Sequence, residues 1–210
     1  MGKFALYLGG PVTPTKRLRD QIAGRTCIAA DGGIRHADIF GSKVALWVGD
    51  FDSSDEPLKE RFAQVPQSQH PSDKAFTDGE LAAKAALEMG ASNLLFIGGI
   101  GGRYDHSHAV LTQAMSLAAT GSEVVVSNGT EEATPLGSAP RSFDYPIGTV
   151  FSILAFSDLA GLALSGARWP LHDADVSFGD TLTISNEVAG GLTATLKSGR
   201  AVLLAQLGGH

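Results

Sequence analysis

Six short apolar runs separated by segments of helical pattern fill the first 128 or so residues, and this alternation constrains the fold more than any other feature. The runs are Phe4–Leu8, Thr26–Ala30, Val44–Val48, a weaker one at Gln67–His70, Leu94–Ile97 and Glu123–Ser127. Each has the length of a buried strand. Thr13-Pro14 predicts a helix start between the first two, with Thr as N-cap and Pro at the first helical position, and Gly24 closes it. Thr77-Asp78-Gly79-Glu80 is a capping box, and the Ala/Leu-rich segment behind it runs to Gly90. A third helix is expected from about Asp105 to Thr120. Strands alternating with helices imply an α/β fold, a mostly parallel, Rossmann-like sheet with helices on both faces.

The pattern changes after about residue 130. Thr130–Pro140 is rich in Thr, Pro, Gly, Ser and Ala and reads as a linker. Beyond it lie short β-type runs at Val150–Phe156, Gly161–Leu164, Thr181–Ile184, Leu192–Leu196 and Ala201–Leu204, with no helical period between them. These predict a small antiparallel β-sandwich or flattened barrel. The expected division is an α/β domain over 1–132 and a β-sandwich domain over 140–210. Some 70 residues make a small core, so the second unit is expected to lean on the first or on another subunit.

Composition narrows the partners. The 210 residues are 43% hydrophobic and 18% charged, an ordinary globular balance. Lys+Arg 16 against Asp+Glu 22 gives a net charge of −6, which speaks against sequence-independent nucleic-acid binding. A single cysteine, Cys27 in an apolar run, excludes an internal disulfide framework and reads as a buried small hydrophobe. No run approaches the ~18 apolar residues of a spanning helix, and Gly9-Gly10-Pro11 interrupts the N-terminal run too early for a signal peptide. The expectation is a cytoplasmic protein with no membrane partner.

In open α/β sheets ligands bind beyond the carboxyl ends of the strands. Asp31-Gly32-Gly33 follows the second run and Gly49-Asp50-Phe51-Asp52-Ser53-Ser54 the third; Asp73-Lys74-Ala75-Phe76-Thr77-Asp78 follows the weak fourth. Gly98-Gly99-Ile100-Gly101-Gly102-Arg103-Tyr104-Asp105-His106 follows the fifth, and Asn128-Gly129 the sixth. Asp31 or Asp105 alone is equally a helix cap or an Asx-turn. Asp50 and Asp52 say more: on an extended segment residues i and i+2 share a side, and two carboxylates there repel unless a cation neutralises them. Mg²⁺, which takes carboxylates together with substrate phosphates, fits; no His/Cys spacing suits zinc. Four glycines in five positions before Arg103 let backbone approach a ligand, and a guanidinium followed by a helix N-terminus suits phosphate, although an Arg in solvent has the same sequence. Neither a Walker motif nor G-x-G-x-x-G occurs.

The runs Ala30-Asp31-Gly32-Gly33, Gly49-Asp50-Phe51-Asp52-Ser53, Phe76-Thr77-Asp78 and Gly101-Gly102-Arg103-Tyr104-Asp105-His106, in that order, resemble the thiamine pyrophosphokinase family. Gly166-Ala167-Arg168-Trp169-Pro170-Leu171 and Thr183-Ile184-Ser185-Asn186-Glu187 are similar to that family's substrate-binding domain, so the resemblance spans nearly the whole chain. It implies a homodimer with the thiamine site between subunits, and transfer of pyrophosphate from ATP to the thiamine hydroxyl with release of AMP. It implies catalytic, Mg²⁺-holding roles for Asp50, Asp52, Asp78 and Asp105. Nucleotide contacts fall to Asp31, Gly32, Gly33, Lys74, Arg103, His106 and Asn128, and thiamine contacts to Trp169, Ser185 and Asn186. Ala75 stands where family members often carry Asp. Taken alone, Trp169 is also ordinary packing and Ser185-Asn186 also an Asx-turn; Trp47 reads as core.

Three other readings use the same residues. A haloacid-dehalogenase-type phosphatase also places D-x-D after a strand, with Asp50 as nucleophile, but it does so after the first strand. A pyrophosphokinase for another heterocyclic alcohol, such as a pterin, shares the chemistry. A non-catalytic nucleotide sensor is expected to lack acidic ligands, and all four are present.

Overall fold

The computed structural model describes residues 2–52, 54–70 and 76–208. Its first half alternates as the apolar runs predict. Strand β1 (Gly2–Tyr7) leads to helix α1 (Lys16–Ile22), β2 (Thr26–Ala30) to a 3₁₀ turn (Asp31–Arg35) and α2 (His36–Phe40), and β3 (Val44–Gly49) to α3 (Glu56–Arg61). Then come β4 (Gln67–Gln69), α4 (Asp78–Glu88), β5 (Ala91–Ile97), α5 (Tyr104–Ala119) and β6 (Glu123–Ser127). These six strands are parallel and ordered β4-β3-β2-β1-β5-β6.

Alternate side chains of each strand go to opposite faces, so one sheet supports two cores. Ala5, Tyr7, Cys27, Ala29 and Trp47 pack against Leu18 and Ile22 of α1, Ala37 of α2 and the partly buried Leu58 of α3. Phe4, Leu6, Ile28, Ala30, Val48 and Phe96 pack against Leu81, Ala82 and Ala86 of α4 and Leu111, Ala114 and Met115 of α5. Cys27 is buried as expected. Thr77 caps α4 with both arms of the capping box in place. Helix α1 starts later than Thr13-Pro14 predicts: its N-cap is Thr15, whose hydroxyl accepts from the Leu18 N–H. Thr13 is occupied elsewhere, its N–H donating to the Asn128 carbonyl at 2.7 Å.

The second half has β7 (Glu131–Pro135), β8 (Arg141–Phe143), β9 (Val150–Ala155), β10 (Leu159–Ala167), β11 (Leu171–Val176), β12 (Asn186–Ser198) and β13 (Ala201–Gln206). The expected linker is therefore half strand. Residues of β7 pair antiparallel with β6 and with β13, so the sheet continues without a break into the second unit. An open edge on β6 is closed in this way, and Glu132, Ala133 and Thr134 are buried. Beyond β13 the order is β9-β12-β10-β11, all antiparallel, with β8 on β12. The long strand β12 serves two sheets: its start pairs with β9 and the rest with β10 and β8. Phe151, Ile153, Leu162, Leu164, Val188, Leu192 and Leu203 fill the space between them.

The run Thr181–Ile184 is a turn rather than a strand, closed by the Ile184 N–H on the Thr181 carbonyl at 3.1 Å. Only Thr183 of this run is buried; its hydroxyl donates to the Ile153 carbonyl at 2.8 Å, while Leu182 and Ile184 face outward. A buried polar cluster ties the units together. The Glu132 carboxylate accepts from Arg17 Nε at 3.0 Å and Gln21 Nε2 at 2.7 Å on α1, and from the Tyr145 hydroxyl at 2.8 Å. Among the described residues no helix is long and apolar enough to cross a membrane.

Candidate active site

The strand order reverses between β1 and β5: chain-consecutive strands lie to one side of β1, and β5 and β6 lie to the other. Loops leaving two such strands part company and open a crevice, the usual ligand site of parallel sheets. Here the crevice is edged with glycine. The Gly10 N–H donates to the Gly98 carbonyl at 3.1 Å, and a Cβ on Gly10 would fall inside 3.0 Å of that oxygen. Gly98 has φ +76, and a Cβ there would stand 2.9 Å from the Leu8 carbonyl. A Cβ on Gly33 would collide with the Tyr7 carbonyl. The loops after β1, β2 and β5 thus pack backbone on backbone. Gly33 and the Gly98 loop are expected here from the sequence; Gly10 is an addition, since Gly9-Gly10-Pro11 reads there only as an interruption of the N-terminal run.

Next to the crevice, Asp31, Asp50 and Asp78 each offer a carboxylate oxygen within 4.8 Å of one another. Asp31 follows β2, Asp50 follows the neighbouring β3, and Asp78 begins α4, which packs across both strands. Asp31 is 7% exposed, and its carboxylate accepts from the Ser54 hydroxyl at 3.3 Å. Asp78 sits in the first turn of an eleven-residue helix, where the macrodipole favours negative charge.

The cluster differs from the expected quartet in membership. Phe51 has φ 64, so Asp50 and Asp52 are separated by a turn and not by an extended residue. The Asp52 N–H donates to Asp50 Oδ1 at 3.2 Å, and Asp52 stands outside the three-carboxylate group. Asp105 stands outside it too. It pairs with Arg103 through Nη2–Oδ2 at 2.6 Å and Nε–Oδ1 at 3.2 Å, and the guanidinium holds its carboxyl down at about 2. Asp31, expected as a nucleotide contact, is the third member. Its local conformation is left-handed, with φ 40, which no pattern of residue types announced.

Arg103, Asp105 and His106 lie exposed at the start of α5, the His106 N–H donating to Asp105 Oδ1 at 2.9 Å. Asn128 is 6% exposed and turned inward: Oδ1 accepts from the N–H groups of Thr130 and Glu131, and Nδ2 donates to Glu131 at 3.0 Å and the Ile100 carbonyl at 3.4 Å. It shapes the glycine loop from behind, and Gly101, at φ +84, leaves no room for a Cβ against its amide. Gly32 accepts Arg35 Nε on its carbonyl at 2.7 Å. Lys74, Ala75 and Ser53 lie outside the described residues.

Trp169 is 55% exposed on the sandwich. Asn186 is 7% exposed and holds the Trp169 backbone at both ends, with Trp169 N–H to Oδ1 at 3.2 Å and Nδ2 to Trp169 O at 2.8 Å. Asn186 therefore presents the tryptophan. Arg168 covers one face of the indole at 4.9 Å from its centroid. Ser185 is exposed at φ 60, its N–H donating to Ser152 Oγ at 3.0 Å.

A parallel sheet with glycine loops at its switch point and a hard-oxygen cluster beside them defines an α/β protein suited to phosphate groups. The particular family follows from comparison. Residues 22–126 match the family model described as thiamin pyrophosphokinase, catalytic domain, and residues 140–203 match thiamin pyrophosphokinase, vitamin B1 binding domain. The chain belongs to the thiamin pyrophosphokinase family. It is 27% identical over 167 residues to thiamine pyrophosphokinase of Bacillus subtilis, covering 78% of this chain and 74% of the relative. The crystal structure of the B. subtilis protein superposes with TM-score 0.83 at 22% identity, over 98% of this chain and 99% of that one. Thiamin pyrophosphokinase from Candida albicans does so with TM-score 0.81 at 14% identity, over 98% and 89%. At such identities the structures establish the fold, and it is the α/β plus antiparallel β architecture expected. The phosphatase and pterin readings gain no support from any of these matches.

Proposed function

We propose that the chain carries out its family's reaction, transfer of pyrophosphate from ATP to the hydroxyl of thiamine to give thiamine diphosphate and AMP, at the rim built by Asp31, Asp50 and Asp78. The observation that carries this placement is three carboxylates within 4.8 Å beside glycine loops at the switch point. Like charges this close need a cation, and an all-carboxylate set suits Mg²⁺. Bound there, Mg²⁺ would neutralise phosphate charge as the β-phosphorus is attacked. Asp52 and Asp105 remain candidates for water-mediated contact.

This chain's own groups do the rest. Backbone amides of the Gly98–Gly102 loop and the N-terminus of α5 face phosphate oxygens, and Arg103 adds a guanidinium fork. Attack comes from the thiamine hydroxyl, whose proton passes to a rim carboxylate, and AMP departs. We assign ATP to residues 1–132 and thiamine to residues 140–210, in line with the two family models. Trp169 supplies its exposed indole to the flat, cationic acceptor.

We further infer a homodimer. Trp169 lies between β10 and β11, at the opposite end of the strand order from β2 and β3, which carry Asp31 and Asp50. Ile147, Phe178, Leu182 and Ile184 are exposed on the same unit, as an uncovered subunit interface would be. A reaction that consumes ATP fits a cytoplasmic enzyme. The test is incubation with ATP, Mg²⁺ and a panel of alcohols including thiamine and a hydroxymethylpterin, with nucleotide products separated. AMP formed with thiamine alone is expected; ADP, or AMP with the pterin only, overturns the reading.

A further inference from the structure

The ring of His36, the first residue of α2, lies behind the crevice and is 5% exposed. Its Nε2 stands 3.0 Å from the Gly10 carbonyl oxygen. A carbonyl only accepts, so Nε2 carries the proton and Nδ1 is bare. Nδ1 is buried and makes no well-formed hydrogen bond, the Leu8 carbonyl being the other backbone oxygen that faces the ring. A buried polar ring with one nitrogen unpaired is a cost to folding that an aliphatic side chain would not incur. What Nε2 holds accounts for it. The Gly10 N–H in turn donates to the Gly98 carbonyl at 3.1 Å, so one line of hydrogen bonds runs from α2 through the loop after β1 to the loop after β5. Arg35, the preceding residue, closes the Asp31–Arg35 turn through Gly32. Two adjacent side chains thus hold the backbone of the loops after β1 and β2.

We propose that His36 is a positioning residue for the nucleotide loops: its Nε2–H clamps the Gly10 carbonyl, and through Gly10 it sets the spacing of the Gly98–Gly102 backbone that receives the ATP phosphates. The proposal rests on the reading of this rim as the ATP site. His36 touches no reacting atom; it acts through main chain alone. A glycine loop lacks side-chain packing to hold it, so a hydrogen bond from a rigid, buried ring does that work.

The test compares His36→Gln with His36→Leu. Glutamine places an Nε2–H near the original donor, whereas leucine keeps the volume and removes it. Two quantities are read: hydrogen exchange at the Gly10 amide and residues 98–103 without nucleotide, and the KM for ATP and for thiamine. In His36→Leu, exchange and the KM for ATP should each rise about three- to tenfold, the size of one net hydrogen bond, with the KM for thiamine unchanged. In His36→Gln both should return most of the way. If His36→Leu does not fold, His36→Asn, whose amide falls short of Gly10, takes its place. Unchanged exchange in these variants, or equal damage in His36→Gln, overturns the clamp whatever the loops bind. Faster exchange restored by glutamine, with no effect of ATP on residues 98–103 of the unsubstituted protein, leaves the clamp standing and overturns the rim as the ATP site.

Discussion

The indole Nε1–H of Trp47 donates a 2.8 Å hydrogen bond to the backbone carbonyl of Asp31. Trp47 lies on β3 and Asp31 directly follows the neighbouring parallel strand β2, and the bond holds Asp31 in its left-handed conformation. Such a conformation costs about 1–2 kcal/mol for a residue with a Cβ. Trp47 is wholly buried and meets Phe51 edge to face at 4.8 Å between centroids. Phe51, directly after Asp50, is the other non-glycine residue of the rim with a left-handed φ. One tryptophan therefore supports both unusual backbone positions that aim the carboxylates.

Trp47→Phe removes the donor and one of the hydrogen bonds on the Asp31 carbonyl, at about 1 kcal/mol. The melting temperature should fall, and the Mg²⁺ concentration for half-maximal activity should rise as Asp31 loses its aim. Thermal unfolding and a Mg²⁺ titration check both. A lower melting point with an unchanged Mg²⁺ titration would leave Trp47 as core alone.

Asp31→Asn, Asp50→Asn and Asp78→Asn should each cut turnover at least about 10–100-fold, the scale of a disturbed metal site. Asp52→Asn should cost less, because Asp52 stands outside the group. In protein freed of divalent ions the three cluster variants should unfold at slightly higher temperature than the parent, since one repelling charge is gone. A ranking with Asp52→Asn worst would restore the extended-segment geometry.

Arg103→Ala should raise the KM for ATP much more than that for thiamine if the guanidinium grips phosphate in the ground state, and lower kcat if it acts in the transition state. The guanidinium holds Asp105 at about 2, so the pair stays ionised at any pH where the enzyme is assayed and the effect should not vary with pH. Steady-state kinetics at two pH values decides; no change in either parameter returns Arg103 to solvent.

Trp169→Ala should raise the KM for thiamine and leave that for ATP unchanged. Mixing it with Asp50→Asn tests the composite site. Subunit exchange would create some heterodimers holding one intact pair of Asp50 and Trp169, so activity should partly return. No recovery, with exchange verified by a fluorescent label, would place each site within one chain.

Local signals in the chain carried much of this structure. Apolar runs marked five of the six parallel strands because burial on both faces requires them, whereas the edge strand β4 is polar and largely exposed; Thr77 with Glu80 marked the start of α4 because a helix end needs its N–H groups paired. The same local logic misread Thr130–Pro140, where Glu131–Pro135 becomes β7 because it pairs with β6 on one side and β13 on the other. It also misread Thr181–Ile184, where an apolar pattern ends in a turn with two side chains outward.

By itself, then, the sequence determined the strands and helices of the α/β unit, the antiparallel character of the rest, and which strand ends carry acid and glycine. Those follow from interactions within a few residues. Only the tertiary structure decided that Asp31 joins Asp50 and Asp78 while Asp52 and Asp105 stand apart. It also turned Asn128 and Asn186 inward and set His36 behind Gly10. These depend on dihedral angles at single residues and on hydrogen bonds between segments tens of residues apart, which packing selects and residue type does not.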